Sequence, residues 1–519
     1  MAQLLASKIT RLILRYLLVF GAAVNIFAVL GGLSLYFFLD QPVSHAIDSV
    51  ANKLKYERTG PEKKAGEILI GSGLAVDWNK LAGHLDKSRS LNPLLTAANP
   101  AQQFAYQHYE QSGTPRELKA RAFLPPDTSR IIYVGSPQEL THAIKQALPG
   151  DVITLLPGHY AISGRSIAIT RAATRQKPIY VRSTRLGDAV LNMDTLEGFH
   201  VLAPFWVFEN LELRGVCKTD SRCEHAFHVV GKGASFTLRN SKLIDFNASI
   251  KVNGLAAEGV FPDNGLLEYN LLANTRARQT ENPVTLVNIN SVNNWVVRGN
   301  FIADFSKNGS DHISYGAFMK GGGSNGVFER NLIMCENQLM ADRGIRIGLS
   351  FGGGGTGAEY CRNGDCSSEH SNGTMRNNII LNCSRDVGIY INKGSNSHIF
   401  NNLLHNTLGI DVRFTTSSAI IENNIISGRI KERDGGIAHS SNNLTDRNCV
   451  GSSRSYCSFD EIFAAPDSAD LRLKEINETL WGKGHWTSLV ASDFCGNPRS
   501  RPTDIGPIQY SEGVDCLQP

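Results

Sequence analysis

Basic, amide and aromatic side chains recur at fixed positions in short segments with a shared pattern. The segments occupy residues 226–230, 249–253, 286–290, 316–320, 344–348, 388–392 and 409–413. In a β-strand, residues two apart lie on one face, and the second and fourth positions here are mostly aliphatic. The third and fifth positions therefore point outward, and they hold His228, Lys251, Asn253, Asn288, Asn290, Phe318, Lys320, Arg346, Tyr390, Asn392, Asp411 and Arg413.

If these strands stack in register, their outward residues form a ladder with rungs about 4.8 Å apart. Lysine and arginine pair with carboxylates, and aromatic faces stack on sugar rings. The ladder is therefore typical of a surface that binds an acidic polysaccharide. The alternative is an ordinary polar exterior, since the outward face of any exposed strand is polar.

Such a ladder could support β-elimination on a uronic acid polymer, in which the proton α to a carboxylate is removed. A cation must neutralise the carboxylate before a base can take this weakly acidic proton. Lys320 is a candidate base if burial or neighbouring cations lower its pKa. Arg346 would stabilise the charge beside it, and we expect the two side chains to emerge together. Substrate-binding roles are expected for His228, Lys251, Asn253, Asn288, Asn290, Tyr390, Asn392, Asp411 and Arg413.

A second repeat indicates the architecture that would position these residues. An asparagine followed by aliphatic residues recurs at Asn210, Asn240, Asn270, Asn300, Asn331, Asn378, Asn402 and Asn424. Asparagine tolerates a left-handed turn, and its amide can bond the equivalent asparagine one coil away. Repeats with insertions of variable length predict a solenoid of parallel sheets, with a β-sandwich as the alternative. The long insertion between Asn331 and Asn378, with its loop at 356–374, would form a wall of the groove or close over it.

Residues 130 to 510 resemble right-handed parallel β-helix proteins of the pectin-lyase-like superfamily, as the ending DFCGNPRSRPTDIGPIQY indicates. Within that group, KGGGSNGVFERNLI followed by RGIRIG resembles polysaccharide lyase family six, the chondroitinase B and alginate lyase enzymes. The resemblance implies an all-β fold, Lys320 as general base and Arg346 as general acid. It also implies Ca²⁺, yet ISYGAFM replaces the two glutamates that the family places before the lysine. The nearest acidic residue is Asp311.

The amino-terminal part of the chain predicts a membrane anchor. Residues 16–39 form an uncharged apolar run, preceded by Lys8, Arg11 and Arg15, that is long enough to cross a bilayer. We expect a single-pass protein of the bacterial inner membrane, with residues 1–40 carrying the anchor and the body in the periplasm. A cleaved signal peptide is the alternative. A helical spacer (41–128), the β-helix (129–458) and a carboxy-terminal cap and tail (459–519) would follow.

The ten cysteines are consistent with an exported body, because eight of them fall near one another in pairs, Cys335 and Cys383 remain for each other, and Cys-x-x-Cys does not occur. We predict disulfides rather than zinc ligation, and His225 with His228 makes a poor metal pair on opposite strand faces. The predicted pairs are Cys217–Cys223, Cys335–Cys383, Cys361–Cys366, Cys449–Cys457 and Cys495–Cys516.

The net charge of the chain and the positions of its acidic residues bear on which other functions the sequence allows. The net charge of +4 is spread along the chain, which argues against nucleic-acid binding. We expect a monomer. A paired-carboxylate hydrolase, a C5-epimerase and a non-catalytic carbohydrate-binding or envelope scaffold are the alternatives to a lyase. Acids available to a hydrolase are Asp304, Asp311, Asp342, Asp386 and Asp411.

Overall fold

The computed structural model describes residues 64, 68, 69 and 130–510, except for 185, 310, 341–342, 354, 447–458 and 476–477. The chain divides into two compact units, Met1–Ser90 and Leu91–Pro519. In the first unit the three described residues are helical. No helix within the described ranges is long and apolar enough to span a membrane. The predicted anchor at residues 16–39 lies outside those ranges, as does nearly all of the predicted spacer.

The second unit is wound into coils, and each full coil contributes one strand to each of three parallel sheets. Sheet 1 has twelve strands. They are Ile131–Val134, Val152–Leu155, Ile179–Ser183, Trp206–Glu209, Thr237–Arg239, Leu266–Glu268, Val296–Arg298, Val327–Glu329, Thr374–Arg376, Ser397–Phe400, Ser418–Glu422 and Ile437–Ser441.

Sheet 2 follows sheet 1 in each coil after a tight turn and has eleven strands. They are Gly158–Gly164, Ala189–Thr195, Glu212–Gly215, Lys242–Ile244, Leu271–Ala273, Phe301–Ala303, Leu332–Met334, Ile379–Cys383, Leu403–Thr407, Ile425–Ile426 and Leu444–Thr445.

Sheet 3 completes the coil after a longer loop and has ten strands. They are Ile167–Ile169, Glu197–Val201, His225–Val230, Ala248–Asn253, Val284–Asn290, Ile313–Lys320, Ile345–Phe351, Ile389–Asn392, Gly409–Arg413 and Arg429–Arg433. The three sheets confirm the predicted right-handed parallel β-helix. They exclude the β-sandwich, because neighbouring strands within each sheet run parallel rather than antiparallel.

Smaller elements decorate the coils. A three-stranded parallel sheet joins Gly323–Ser324, His370–Ser371 and Gly394–Ser395, and an antiparallel pair joins Phe463–Ala465 to Asp470–Leu473. The α-helices are Pro137–Gln146 and Phe459–Ile462, and single 3₁₀ turns occur at Asp220–Arg222, Ala256–Glu258, Ala358–Tyr360, Pro466–Ser468 and Ser488–Val490.

Inward-facing residues of the sheets fill the interior with stacked apolar side chains. Along sheet 1 the middle residue of successive strands is fully buried, as at Phe208, Leu238 and Phe328. Phe208 and Phe227 meet edge to face at 4.9 Å between ring centroids, which joins sheet 1 to sheet 3. Each such side chain contributes about 1.5–3 kcal/mol on burial, so the repeated coils accumulate a continuous core.

The asparagine ladder forms, with one correction to its predicted geometry. Asn300 Oδ1 accepts a hydrogen bond from the Asn270 backbone N–H at 2.9 Å, and Asn331 Oδ1 accepts one from Asn300 at 3.0 Å. The left-handed residue is the one before each ladder asparagine, such as Gly299 or Arg330. In each of these coils the residue that makes the left-handed turn and the asparagine that makes the ladder hydrogen bonds are therefore two adjacent residues. The sequence pattern predicts that one asparagine does both. For the same reason Asn210 and Asn240, which are themselves left-handed, lie one residue out of register with the later ladder asparagines.

The first coil is covered by the helix Pro137–Gln146, as its sequence predicts. Ser136 caps the helix by accepting a hydrogen bond from the Glu139 N–H at 3.2 Å. Leu140 and Ile144 are fully buried in the main core. Covering the open end of a parallel sheet in this way protects it from pairing with another chain.

The carboxy-terminal segment packs along sheet 2, because the outward face of that sheet is apolar. Leu271, Phe301 and Leu403 point away from the main core and form a second cluster with Phe463 and Ile508. This segment therefore removes the outward face of the later strands of sheet 2, from Lys242–Ile244 onward, from solvent.

On sheet 1 the outward face is a ladder of alternating charges. Glu209 lies between Arg182 at 3.1 Å and Arg239 at 2.7 Å, and Arg298 pairs with Glu268 at 2.7 Å. These charges neutralise one another along the rungs. The outward face of sheet 3 is the third long strand surface. It carries basic, acidic, amide and aromatic side chains.

Three of the predicted disulfides are present: Cys217–Cys223, Cys335–Cys383 and Cys361–Cys366. Cys449, Cys457 and Cys516 fall outside the described residues, so the other two pairings stay predictions.

Candidate active site on sheet 3

The outward side chains of sheet 3 stand in register from coil to coil. The row at the third position, which we call the outer row, is held by direct pairing of His228 with Lys251, of Lys251 with Asn288, and of Asn288 with Phe318. It continues through Ser350, Tyr390 and Asp411. A second row runs through Asn253, Asn290 and Lys320.

Loops flank these rows on both sides and make the strand face the floor of a groove. On the side leading to sheet 1, Arg362 binds Asp263 through two bonds of 2.7 and 2.8 Å and covers the Phe261 ring at 4.0 Å. This joins the long disulfide-bearing loop to loop 254–265 of the same wall, three coils earlier. On the opposite side Asp220 binds Arg278 at 3.1 Å. The insertion therefore occupies one wall, as expected from its length.

Lys251 lies at the centre of the amino-terminal half of this floor. Its Nζ donates a hydrogen bond to Asn288 Oδ1 at 2.9 Å, and Asn290 Nδ2 donates to the same oxygen at 2.7 Å. Burial, together with the positive charge of Lys320, lowers the pKa of Lys251 to about 7. Glu224 opposes this shift from the adjacent loop. About half of an amine with this pKa is unprotonated at pH 7 and so available as a base.

Glu224 is fixed on the wall beside Lys251. Asn247 Nδ2 donates to its Oε1 at 2.9 Å, and Asn282 donates to the same oxygen. Burial raises the pKa of Glu224, although these bonds and nearby cations hold it down.

Lys320 is the second lysine of the floor, and burial lowers its pKa as well. Its Nζ lies 4.9 Å from the centroid of the Phe318 ring. A Cβ at Gly353 would meet the Lys320 side chain at 2.7 Å, so the glycine run lets the wall loop close on the lysine. Glu369, which is itself buried, counteracts the shift in the Lys320 pKa.

The residues around Lys320 do not fit the calcium site that the lyase family implies. Asp311 forms an ion pair with Lys307 at 2.9 Å, and Glu369 accepts bonds from Gly353 and Thr356 of its own loop. Within the described residues, no group of three possible metal ligands includes an acid beside Lys320. We therefore derive no step through calcium.

Arg346 is not part of this floor, which corrects the sequence alignment. Its strand pairs Arg346 with Ser314, whereas the residue in register with Phe318 is Ser350. The segments GIRIG (344–348) and GLSFG (348–352) both begin with glycine. The strand pairing shows that GLSFG, not GIRIG, is in register with the other segments of the ladder. The Arg346 side chain is buried, forms an ion pair with Glu336 and donates to the Arg343 carbonyl at 2.8 Å. The prediction that Arg346 emerges beside Lys320 is wrong.

The carboxy-terminal residues of the ladder form a separate group. Arg413 donates to the Tyr390 hydroxyl at 3.5 Å, and Arg433 binds Asp411 through two bonds near 3 Å from its Nε. Asn392 pairs with Arg413 in register. Four strand steps of about 4.8 Å separate the Lys251 and Tyr390 positions, so Tyr390 is too distant to act with Lys251.

Asp386 adds an acid to this group that the strand alignment missed. It lies in the loop before the strand and accepts a bond from the Val387 N–H at 2.7 Å. Burial, with repulsion from Asp411, raises its pKa to about 6. Its position on a loop explains why strand periodicity did not place it on the groove.

At the amino-terminal end the structure brings His228 together with residues of the preceding coil. His228 Nδ1 lies 2.8 Å from Glu197 Oε1, its Nε2 lies 3.1 Å from Asn253 Oδ1, and its ring stacks on His200. Sequence reasoning missed Glu197 and His200. Their signal was available, since GFHV at 198–201 repeats the AFHV of 226–229.

Comparisons with known proteins agree with a polysaccharide-lyase-like β-helix. No protein-family model matches the chain. Pectate lyase L of Dickeya chrysanthemi is 25% identical to it, over 53% of this chain and 71% of that protein.

Two solved structures match the chain at low sequence identity. The pectate lyase Pel9A covers 74% of this chain and 97% of its own at 14% identity, with a TM-score of 0.47. A family-six polysaccharide lyase from Pseudopedobacter saltans covers 69% of this chain and 99% of its own at 14% identity, with a TM-score of 0.33. The three parallel sheets make this chain a right-handed parallel β-helix, and over about half its length it is similar in sequence to a pectate lyase.

Proposed function

We propose that this protein cleaves an acidic polysaccharide by β-elimination at a uronic acid, with Lys251 as the base. The proposal rests on the Lys251 amine. It lies on the groove floor near a second lysine, and its pKa is lowered to about 7. The sequence similarity to a pectate lyase supports pectate as the first substrate to test.

The two lysines have complementary roles in this reaction. Lys320, as the cation, neutralises the uronate carboxylate and so acidifies the C5 proton. Lys251, held by Asn288, takes that proton, the C4–O bond breaks and a C4–C5 double bond forms. The leaving oxygen takes a proton from water. This assignment moves the base from Lys320, as first expected, to the lysine with the more strongly lowered pKa.

The test is to incubate the purified chain with pectate, alginate, glucuronan and glycosaminoglycans, and to follow the ultraviolet absorbance of unsaturated uronate ends. The expected result is absorbance with at least one polymer, lost in Lys251→Met. Retained binding without cleavage would instead support a scaffold. Solvent deuterium at C5 without chain cleavage would indicate C5 epimerisation, which begins with the same proton abstraction.

A second candidate, glycoside hydrolysis, is favoured by Asp386 and Asp411. Glycosidases use a carboxyl group of raised pKa beside a second carboxylate; burial raises the pKa of Asp386 to about 6, and Asp411 is hydrogen-bonded by Arg433. Reducing ends released without ultraviolet absorbance, and lost in Asp386→Asn but not in Lys251→Met, would establish this candidate over elimination.

Anchoring of residues 16–39 in the bacterial inner membrane, with a monomeric body in the periplasm, belongs to the same proposal. The disulfides of the body are consistent with an oxidising compartment. Fractionation of cells together with protease accessibility of the body tests this location. A body found in the cytoplasm would contradict it.

A further inference from the structure

Two histidines and a glutamate converge at the amino-terminal end of the groove, one strand from Lys251, and the proposed elimination gives them no role. Glu197 and His200 lie on one strand of sheet 3 and His228 on the next, with His200 and His228 in direct register. One potential ligand atom from each of the three side chains lies within 4.8 Å of the others. All three side chains are partly accessible, at 13%, 27% and 18% exposure respectively.

The spacing of these atoms suits a transition metal. Glu197 Oε1 lies 2.8 Å from His228 Nδ1, and Glu197 Oε2 lies 3.6 Å from His200 Nδ1. Ligand atoms around tetrahedral Zn²⁺ are about 3.3 Å apart, given bond lengths of about 2.0–2.1 Å. The two observed distances lie on either side of this separation but involve different oxygens of Glu197, so coordination requires the three side chains to shift together.

Hydrogen bonding gives an independent indication. The ring nitrogens of His228 face two oxygen atoms, Glu197 Oε1 and Asn253 Oδ1. A metal ion bound at Nδ1 leaves an N–H at Nε2, which would donate to Asn253 Oδ1. Metal-bound histidines are oriented by such outer partners. Glu197 Oε2 is buried and has no hydrogen-bond partner within the described residues.

We propose that Glu197, His200 and His228 form a binding site for a divalent transition-metal ion of the Zn²⁺ type. Two imidazoles and one carboxylate are a common ligand set for such ions and leave coordination positions open. His228 belongs to the outer row next to Lys251, so these open positions adjoin the groove. A uronate carboxylate of a bound polymer would complete the coordination, a step that rests on the proposed function.

The experiment measures Zn²⁺ binding to the chelator-treated full chain by calorimetry and elemental analysis, with no sugar present. The expected result is one equivalent bound by the wild type and loss of binding in His200→Gln and His228→Gln. Asn253→Ala should weaken binding by about 10–100-fold, as removal of an outer partner does.

The control is His405→Gln, because His405, Asp460 and Asp467 form the other such group within the described residues. This variant should bind Zn²⁺ as the wild type does. Loss of binding in the control alone, or no binding by the wild type, would overturn the proposal.

X-ray absorption of the zinc-loaded wild type keeps the proposal testable if a variant fails to fold. Two imidazole ligands and one oxygen ligand are expected, and a shell without imidazole would contradict it. Because no sugar is used, failure here leaves the elimination proposal standing, and loss of elimination leaves this site standing.

Discussion

Lys251 Nζ donates to Asn288 Oδ1 across one rung of sheet 3, in a bond of 2.9 Å between residues in direct register. Asn290 donates to the same oxygen, so Asn288 is fixed before any ligand binds. A base in an elimination must be held at one point relative to the sugar ring, and this pair provides that on a rigid strand rather than on a loop.

Replacement of Lys251 by methionine should abolish elimination while keeping the fold. Removal of a positioned general base typically costs about 10²–10⁴-fold in rate. Because burial of the ammonium is unfavourable, the apolar variant should unfold at equal or higher denaturant concentration than the wild type at pH 6. Initial rates with the substrate identified in the screen, and urea unfolding, check the two statements. A variant with wild-type rates would refute the role of Lys251.

Removal of the neighbouring charges should shift the pH dependence in opposite directions. The rate should rise with pH as Lys251 loses its proton near its pKa of about 7 and then level off. Glu224→Gln removes an anion that favours the ammonium, so the rise should move to lower pH. Lys320→Met removes a repelling cation, so the rise should move to higher pH with a lower maximum. Shifts of the same sign in both variants would contradict this account.

Arg346 should prove structural rather than catalytic. Glu336→Ala leaves the buried guanidinium without its carboxylate and should lower the free energy of unfolding by about 3–5 kcal/mol. The double variant Arg346→Met, Glu336→Leu should recover much of this loss. Urea unfolding measures the stability, and the rate per folded molecule should remain near wild type. A double variant that is as stable as the wild type but inactive would instead indicate a catalytic role for Arg346.

The asparagine ladder should be a major source of stability. Asn331→Ala removes the acceptor for the Asn300 backbone N–H and side chain, both at 3.0 Å. We expect a loss of about 2–4 kcal/mol, since each unsatisfied buried group costs roughly 1–3 kcal/mol. Asn363→Ala, at an exposed loop position, is the matched control and should change stability by less than about 0.5 kcal/mol. Equal changes in the free energy of unfolding in the two variants would argue against the ladder as a major source of stability.

The sequence was sufficient to predict the solenoid, because its two signals have physical causes that act locally. Alternation places aliphatic residues inside and polar residues outside each strand, and the repeated asparagine marks the turn between sheets 1 and 2. Lys251, Asn288 and Lys320 therefore fall on the predicted face.

Other features depend on contacts that periodicity does not encode. Arg346 was misaligned because two glycine-led segments lie four residues apart, and only strand pairing decides between them. Glu224 and Asp386 lie on loops, which carry no period. The strong pKa shift of Lys251 arises from burial by the walls and from Lys320, both of which require the folded coils.

The role of Lys251 as the base can be measured as the rate at which unsaturated uronate forms from pectate as pH is varied, in the wild type and in Lys251→Met. We expect a wild-type rate that rises through one ionisation near pH 7, and no comparable product from the variant. An identical profile in the two proteins, or no unsaturated product from any acidic polysaccharide, would contradict this role.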